Sequence, residues 1–144
     1  MIDSFDGEYE FLSNFYHFPF IYEGKEYLSS EHAFQAAKMT TLEDHERVRL
    51  AATAGHCKKL GRSLPCRKDW DSVKLSVMAD ILKAKFAIPE LREKLLATGS
   101  ETLVEGNWWQ DRFWGVCNGK GENHLGTLLM KVRHELRESD AIRS

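Results

Sequence analysis

The 144-residue chain has no uninterrupted apolar run of about 18 residues, so it carries no evident membrane-spanning helix and no membrane association is expected. Its opening stretch, MIDSFDGEYE, is acidic and lacks the basic start and apolar segment of a secretory leader. A cytoplasmic location is expected. Cysteine is sparse: Cys57, Cys66 and Cys117 make an odd number without a CxxC pair. That argues against a disulfide framework and for buried free thiols. Excess positive charge is missing as well. With 20 Lys and Arg against 22 Asp and Glu the net charge is -2, whereas proteins that clamp long nucleic acids by electrostatics are strongly basic. A small anionic ligand needs only a local positive pocket and stays allowed. Internal repeats, low-complexity stretches and interdomain linkers are absent, and the length suits one domain with a substantial core.

Several catalytic signatures are absent too. The six histidines, His17, His32, His45, His56, His124 and His134, are scattered, with neither HExxH nor a paired HxH, so no metal site is expected. Neither GxxxxGK[ST] nor a serine nucleophile elbow occurs. What remains is a set of carboxylates (Glu31, Glu105, Asp111), lysines (Lys38, Lys85) and aromatics. That set suits acid–base chemistry on a glycosidic bond, because carboxylates stabilise an oxocarbenium-like sugar and a leaving base needs a proton.

The pattern of elements is mainly helical, with a small β component near the N-terminus: an α+β domain. PFIYEGKEY reads as a hairpin turning at Glu23-Gly24. Ser29 or Ser30 can cap the first helix, and Glu31 then sits in the first turn, where the dipole favours a carboxylate. Thr40-x-x-Glu43 has the form of a capping box for a second helix reaching about Ala54 and ended by Gly55. HCKKLGRSLPCRKDW reads as a basic connection. Asp69 can cap a helix with apolar positions Trp70, Val73, Val77, Ile81 and Leu82, running through Phe86. Pro89 suits the start of another helix and Gly99 its end. TLVEG reads as extended. The last helix spans about Asn123 to Arg137, leaving 1–138 as the domain and 139–144 as a frayed tail.

Three stretches draw attention. In LSSEHAFQAAK, Glu31, Gln35 and Lys38 recur at i, i+4 and i+7, within a narrow arc of a 3.6-residue helix, while Ala33, Phe34 and Ala37 lie on the other side. That arc faces either water or a site. In NWWQDRFWG, three of the chain's four tryptophans crowd around Asp111 between 108 and 114. A core plug and a ligand wall of stacking rings are equally good accounts. In GKGENHLG, glycines precede a helix N-terminus, where backbone amides can hold a phosphate. His124 stands where GxGxxG needs its third glycine, so a plain turn is the better reading.

FLSNFY…PF, YLSSEHAFQAAK, W…VK…VM…ILKAKF, LVEG…W.D.FWG and GKGENHLGTLLMKVR together resemble the NADAR family, over about residues 5 to 137. That group includes YbiA-like N-glycosidases. The resemblance implies a compact, mostly helical α+β domain that works without a metal or cofactor. It implies hydrolysis of the N-glycosidic bond in the phosphoribosylaminopyrimidines of early riboflavin biosynthesis or, in other members, removal of ADP-ribose from guanine bases. The family's glutamate falls on Glu31, its helix lysine on Lys38, its aspartate and tryptophan on Asp111 and Trp114, and its asparagine on Asn14. Many relatives read WGDG where this chain has Trp114-Gly115-Val116-Cys117, so an acid is missing at Val116.

On that resemblance Glu31, Asp111 and Lys38 are the expected catalytic residues, Lys38 either holding a phosphate or attacking an opened sugar as an amine. Asn14, Gln35, Trp114, Gly119, Gly121 and Asn123 are the expected substrate-binding residues. The expected partner is a small phosphorylated ribosyl or ADP-ribosyl substrate. Nucleic acid enters only as a modified substrate, flanked by Lys58, Lys59, Arg62, Arg67 and Lys68. Such a basic connection is more often merely solvated, which favours the small substrate. A reader that binds ADP-ribose without turnover is the alternative from another class, disfavoured by the presence of both carboxylates.

Overall fold

The structure, a computed structural model, describes residues 1–143. It is predominantly helical, with two small two-stranded sheets, as the α+β pattern requires. The chain forms two compact units, one of Asn14–Lys85 and one of Met1–Ser13 together with the chain from Phe86 onward.

The Asn14–Lys85 unit opens with the hairpin. Strands β1 (Phe20–Tyr22) and β2 (Lys25–Tyr27) pair antiparallel, Phe20 opposite Tyr27. Glu23 and Gly24 both take positive φ, 50° and 79°, the twist that a two-residue turn needs to match its strands. Helix α1 (Ser30–Ala37) is capped by Ser29, whose hydroxyl accepts from the His32 amide. His32 is a core histidine: Nδ1 lies 2.7 Å from the Ser29 hydroxyl and Nε2 2.9 Å from the Ala51 carbonyl. Burial lowers its proton affinity, so the ring is neutral and Nε2 donates to Ala51.

Two expectations for the next segment are corrected. The cap of α2 (Leu42–Arg49) is Thr41, accepting from the Asp44 amide, one residue later than Thr40. The helix stops at Arg49, and Gly55 ends nothing. It lies in the first turn of α3 (Ala54–Ser63), whose cap is Thr53. Most of the supposed basic connection is therefore helix. Helix α4 (Trp70–Lys85) follows, with Trp70, Met78, Ile81 and Leu82 buried and Val73 and Val77 only partly so. Asp69, just before it, gives its carboxylate to Arg67 (2.6 Å) while its carbonyl accepts from the Ser72 amide. Phe34 of α1 meets Trp70 of α4 with ring centroids 4.8 Å apart; such a buried side chain contributes about 1.5–3 kcal/mol by leaving water.

The second unit begins with a short 3-10 turn, Gly7–Leu12. Helix α5 (Pro89–Ala97) starts on its proline, and Gly99 follows its end at φ 65°. Ile2 is bridged to the extended segment at Leu103, donating to Thr102 and accepting from Val104. Gly106–Asn107 (β3) and Val116–Cys117 (β4) form a short parallel pair, which the sequence does not announce. Helix α6 (His124–Arg143) continues through residues 139–143 of the expected tail, where Arg92 pairs with Asp140; Ser144 lies outside the described residues. Leu91, Leu95, Leu103, Leu125, Leu129 and Val132 are buried together with Arg133, which donates to Thr98 Oγ1 and the Glu101 carbonyl, each at 2.8 Å. All three cysteines are free, but Cys66 is exposed, contrary to expectation.

Candidate active site

In the Asn14–Lys85 unit, the polar arc of α1 is a hydrogen-bonded ladder rather than a solvated stripe. Gln35 Nε2 donates to Glu31 Oε1 at 2.8 Å, and Lys38 Nζ donates to Gln35 Oε1 at 3.1 Å. Glu31 and Gln35 are buried and Lys38 half-buried. Asn14 sets the register: its carbonyl accepts from the Glu31 amide (2.9 Å) and its Oδ1 from the Ser30 hydroxyl (2.9 Å). Among the described residues Glu31 Oε2 and Asn14 Nδ2 take no hydrogen bond. An acceptor and a donor thus remain available.

Burial drives the Glu31 carboxyl above the usual carboxylate range. The Gln35 hydrogen bond and the charges of Lys58, Lys38 and Arg62 oppose that rise. Lys38 is pushed the other way: burial lowers its proton affinity and Arg62 adds to the effect, while Cys66 and Glu31 resist it. Cys57, donating to the Ala54 carbonyl at 3.2 Å, is pushed up to about 12, first by burial and then by the Glu31 charge. It is an inert core thiol.

Helix α3 supplies what sequence reasoning missed. Gly61 packs so tightly on α1 that a Cβ there would fall on Gln35 Oε1. Lys58 and Arg62, one turn apart, flank it; Lys58 Nζ stands 5.5 Å from the Phe15 ring centroid. The signal that could have found α3 is Thr53, a cap residue three positions before His56. Lys85 is another buried cation of this unit. It is 1% exposed, near the Tyr16 ring (5.9 Å), and desolvation pushes its amine down to about 7.

In the second unit, Asp111 and Trp114 lie on the loop between β3 and β4. Asn107 clamps that loop, donating to the Asp111 carbonyl (2.8 Å) and accepting from its amide (3.0 Å). Asp111 Oδ1 accepts from the amides of Phe113 (3.1 Å) and Trp114 (2.9 Å). Trp114 is half-buried, edge-to-face with Phe113. Trp108 and Trp109 are 83% and 48% exposed, so neither is a core plug.

The GKGENHLG run is built as a turn. Cys117 and Lys120 exchange backbone hydrogen bonds across Asn118 and Gly119, both at positive φ. Gly121 sits where a Cβ would strike the Gly115 carbonyl. The amides of Glu122, Asn123, His124 and Leu125 donate to the carbonyls of Arg112, Gly115, Phe113 and Trp114. The Asn123 side chain accepts from the Glu105 amide and donates to the Leu103 carbonyl, each at 3.0 Å. Those four amides, the ones a phosphate at this helix end would use, are taken by protein.

Among the described residues no group of three or more His, Cys, Asp or Glu is placed to hold a metal ion. No helix among them is long and apolar enough to cross a membrane.

The chain is similar to known proteins along most of its length. It is 43% identical to the N-glycosidase YbiA of Shigella boydii over 133 residues, 90% of this chain and 82% of that protein. It is 38% identical to a riboflavin biosynthesis protein of Vibrio vulnificus over 137 residues, 92% of this chain but 37% of that one. The NMR structure of E. coli YbiA superposes with a TM-score of 0.86 at 39% identity, covering 98% of this chain and 89% of that one. The NADAR domain model matches residues 3–137, and the chain belongs to that family.

Proposed function

We propose that this chain is an N-glycosidase that hydrolyses the bond between ribose and a base nitrogen in phosphorylated ribosylaminopyrimidines, the intermediates of riboflavin biosynthesis. One observation carries the reading: Glu31 is a buried carboxyl of raised proton affinity, with one oxygen held by Gln35 and the other unengaged. Such a group holds a proton at higher pH than an ordinary carboxylate and can pass it to a leaving nitrogen. Likeness to proteins named N-glycosidases supports the same bond type.

In this reading the C1′–N bond breaks, its electron pair stays on the base nitrogen, and that nitrogen takes the proton from Glu31. Water adds its oxygen to C1′ and returns a proton to the carboxylate. Gln35 and Lys38 hold the Glu31 rotamer, and Asn14 Nδ2 donates to a sugar hydroxyl. In the other unit, Asp111 keeps one oxygen outside the amide contacts it accepts and anchors Trp114, whose ring is suited to stacking on a base. Gly119, Gly121 and Asn123 shape the loop rather than touch ligand. Lys38, half-buried and bonded to Gln35, is the amine that holds a phosphate or captures an opened sugar.

One observation favours a second reading, removal of ADP-ribose from guanine in nucleic acid: the exposed Trp108 and Trp109 offer rings for unpaired bases. The test presents the protein and Glu31→Gln with a phosphoribosylaminopyrimidine and, separately, with an oligonucleotide carrying ADP-ribosyl guanine. We expect ribose 5-phosphate from the first, reduced about 10²- to 10⁴-fold in Glu31→Gln. Release only from the oligonucleotide selects the second reading. Tight binding without product from either selects a non-catalytic nucleotide-binding module.

A further inference from the structure

We infer that Lys58 and Arg62 of α3, with Lys38 of α1, form a phosphate-recognition site beside Glu31 that selects substrates carrying a phosphomonoester. The inference deepens the N-glycosidase reading and rests on it for the identity of the substrate.

The geometry comes first. Contact between Gly61 and Gln35 presses α3 onto the polar arc of α1. Lys58 and Arg62 are four residues apart on α3, so they neighbour one another along the flank of the helix that adjoins this contact. Lys38 ends the same ladder, 3.1 Å from Gln35 Oε1. The charges of all three act on the Glu31 carboxyl.

Charge balance comes second. Three cations act on one carboxyl, and among the described residues none of the three forms an ion pair with an acidic side chain. Their neighbours behave differently. Arg67 pairs with Asp69 at 2.6 Å, and Arg49 with Glu46 at 2.7 Å. In a chain of net charge -2, an uncompensated positive group is not a by-product of composition. Like charges held together repel unless an anion joins them.

The chemistry of the three groups names that anion. A guanidinium presents a planar fork to two phosphate oxygens, and two ammoniums add point charges around the third. A phosphomonoester dianion takes up most of that positive charge while Glu31 keeps its proton for the leaving nitrogen. The 5-phosphate of a ribose and the diphosphate of an ADP-ribosyl group share this chemistry, and the arms of the test distinguish them.

The test measures kcat/KM for a ribosylaminopyrimidine with and without its 5-phosphate, in the wild type, in Lys58→Gln/Arg62→Gln, and in Lys59→Gln as a control that removes one charge from the exposed neighbour. Far-ultraviolet circular dichroism checks that each variant is folded. In parallel, calorimetry measures binding of ribose 5-phosphate, ribose and ADP-ribose. The wild type should prefer the phosphorylated substrate, and the double variant should lose about tenfold to hundredfold of that preference per cation removed. Lys59→Gln should keep it, and Arg62→Lys in place of Arg62→Gln should recover part of it. Equal rates on both substrates in the wild type, or a preference unchanged in the double variant, would overturn the inference. If neither substrate is cleaved, the N-glycosidase reading fails by itself. The calorimetry then decides: ribose 5-phosphate bound by the wild type and not by the double variant sustains the site, and no binding overturns it. Loss of ADP-ribose binding alone would assign the cations to a diphosphate instead.

Discussion

Asp111 has one duty visible in its hydrogen bonds and a second that the proposed function gives it, and a single substitution confounds the two. Its Oδ1 holds the amides of Phe113 and Trp114, and its charge is available to chemistry. Asp111→Asn keeps an acceptor oxygen and removes the charge; Asp111→Ala removes both. If the residue works by positioning, thermal denaturation should show about 1–3 kcal/mol lost in Asp111→Ala and little in Asp111→Asn, with turnover following stability. If the carboxylate itself is used, Asp111→Asn should match Asp111→Ala in turnover while keeping its stability. At this scale the sequence is a good guide to which residues share a helix face and a poor one to what they touch. Glu31, Gln35 and Lys38 are legible as one arc because a helix has a fixed period. That the arc is buried and bonded end to end depends on α3, which no local pattern in α1 reports. Trp108, Trp109 and Trp114 look alike in the sequence and differ widely in exposure.

Elements with a strong local signal were legible: the Glu23-Gly24 hairpin, the helix starting at Pro89, the long final helix. Helix α3 was not, because Gly55 reads as a helix end and the basic stretch after it, Gly61 included, as a connection. Gly61 is there for a different reason, the close approach of α1. Gly61→Ala adds helix propensity, yet its methyl must displace Gln35. We expect a net loss of about 1–3 kcal/mol in chemical denaturation, accompanied by a fall in turnover as the Glu31 partner shifts. A stabilised protein with normal turnover would show that α1 and α3 have more room than the structure gives them. The one-residue slip from Thr40 to Thr41 has a simpler origin, since adjacent threonines offer the same cap chemistry.

For the molecule as a whole, the buried Lys85 ties stability to pH. Its amine titrates near 7 in the folded chain against an ordinary value of 10.5, so between those values the unfolded chain holds one more proton than the folded one. Stability should therefore rise with pH from about 7 towards 10.5, and lie flat below 7, when the wild type is compared with Lys85→Met by denaturant midpoints across that range. A difference that stays constant would mean the amine remains protonated in the fold. The loop that carries Trp114 has a consequence of another kind. Four successive amides at the start of α6 are tied to four successive carbonyls of 112–115, each closure spanning only roughly ten residues and costing little entropy. Loop and helix end are one melting unit: neither can fray while the other holds, and thermal opening there frees all four amides to exchange together or not at all.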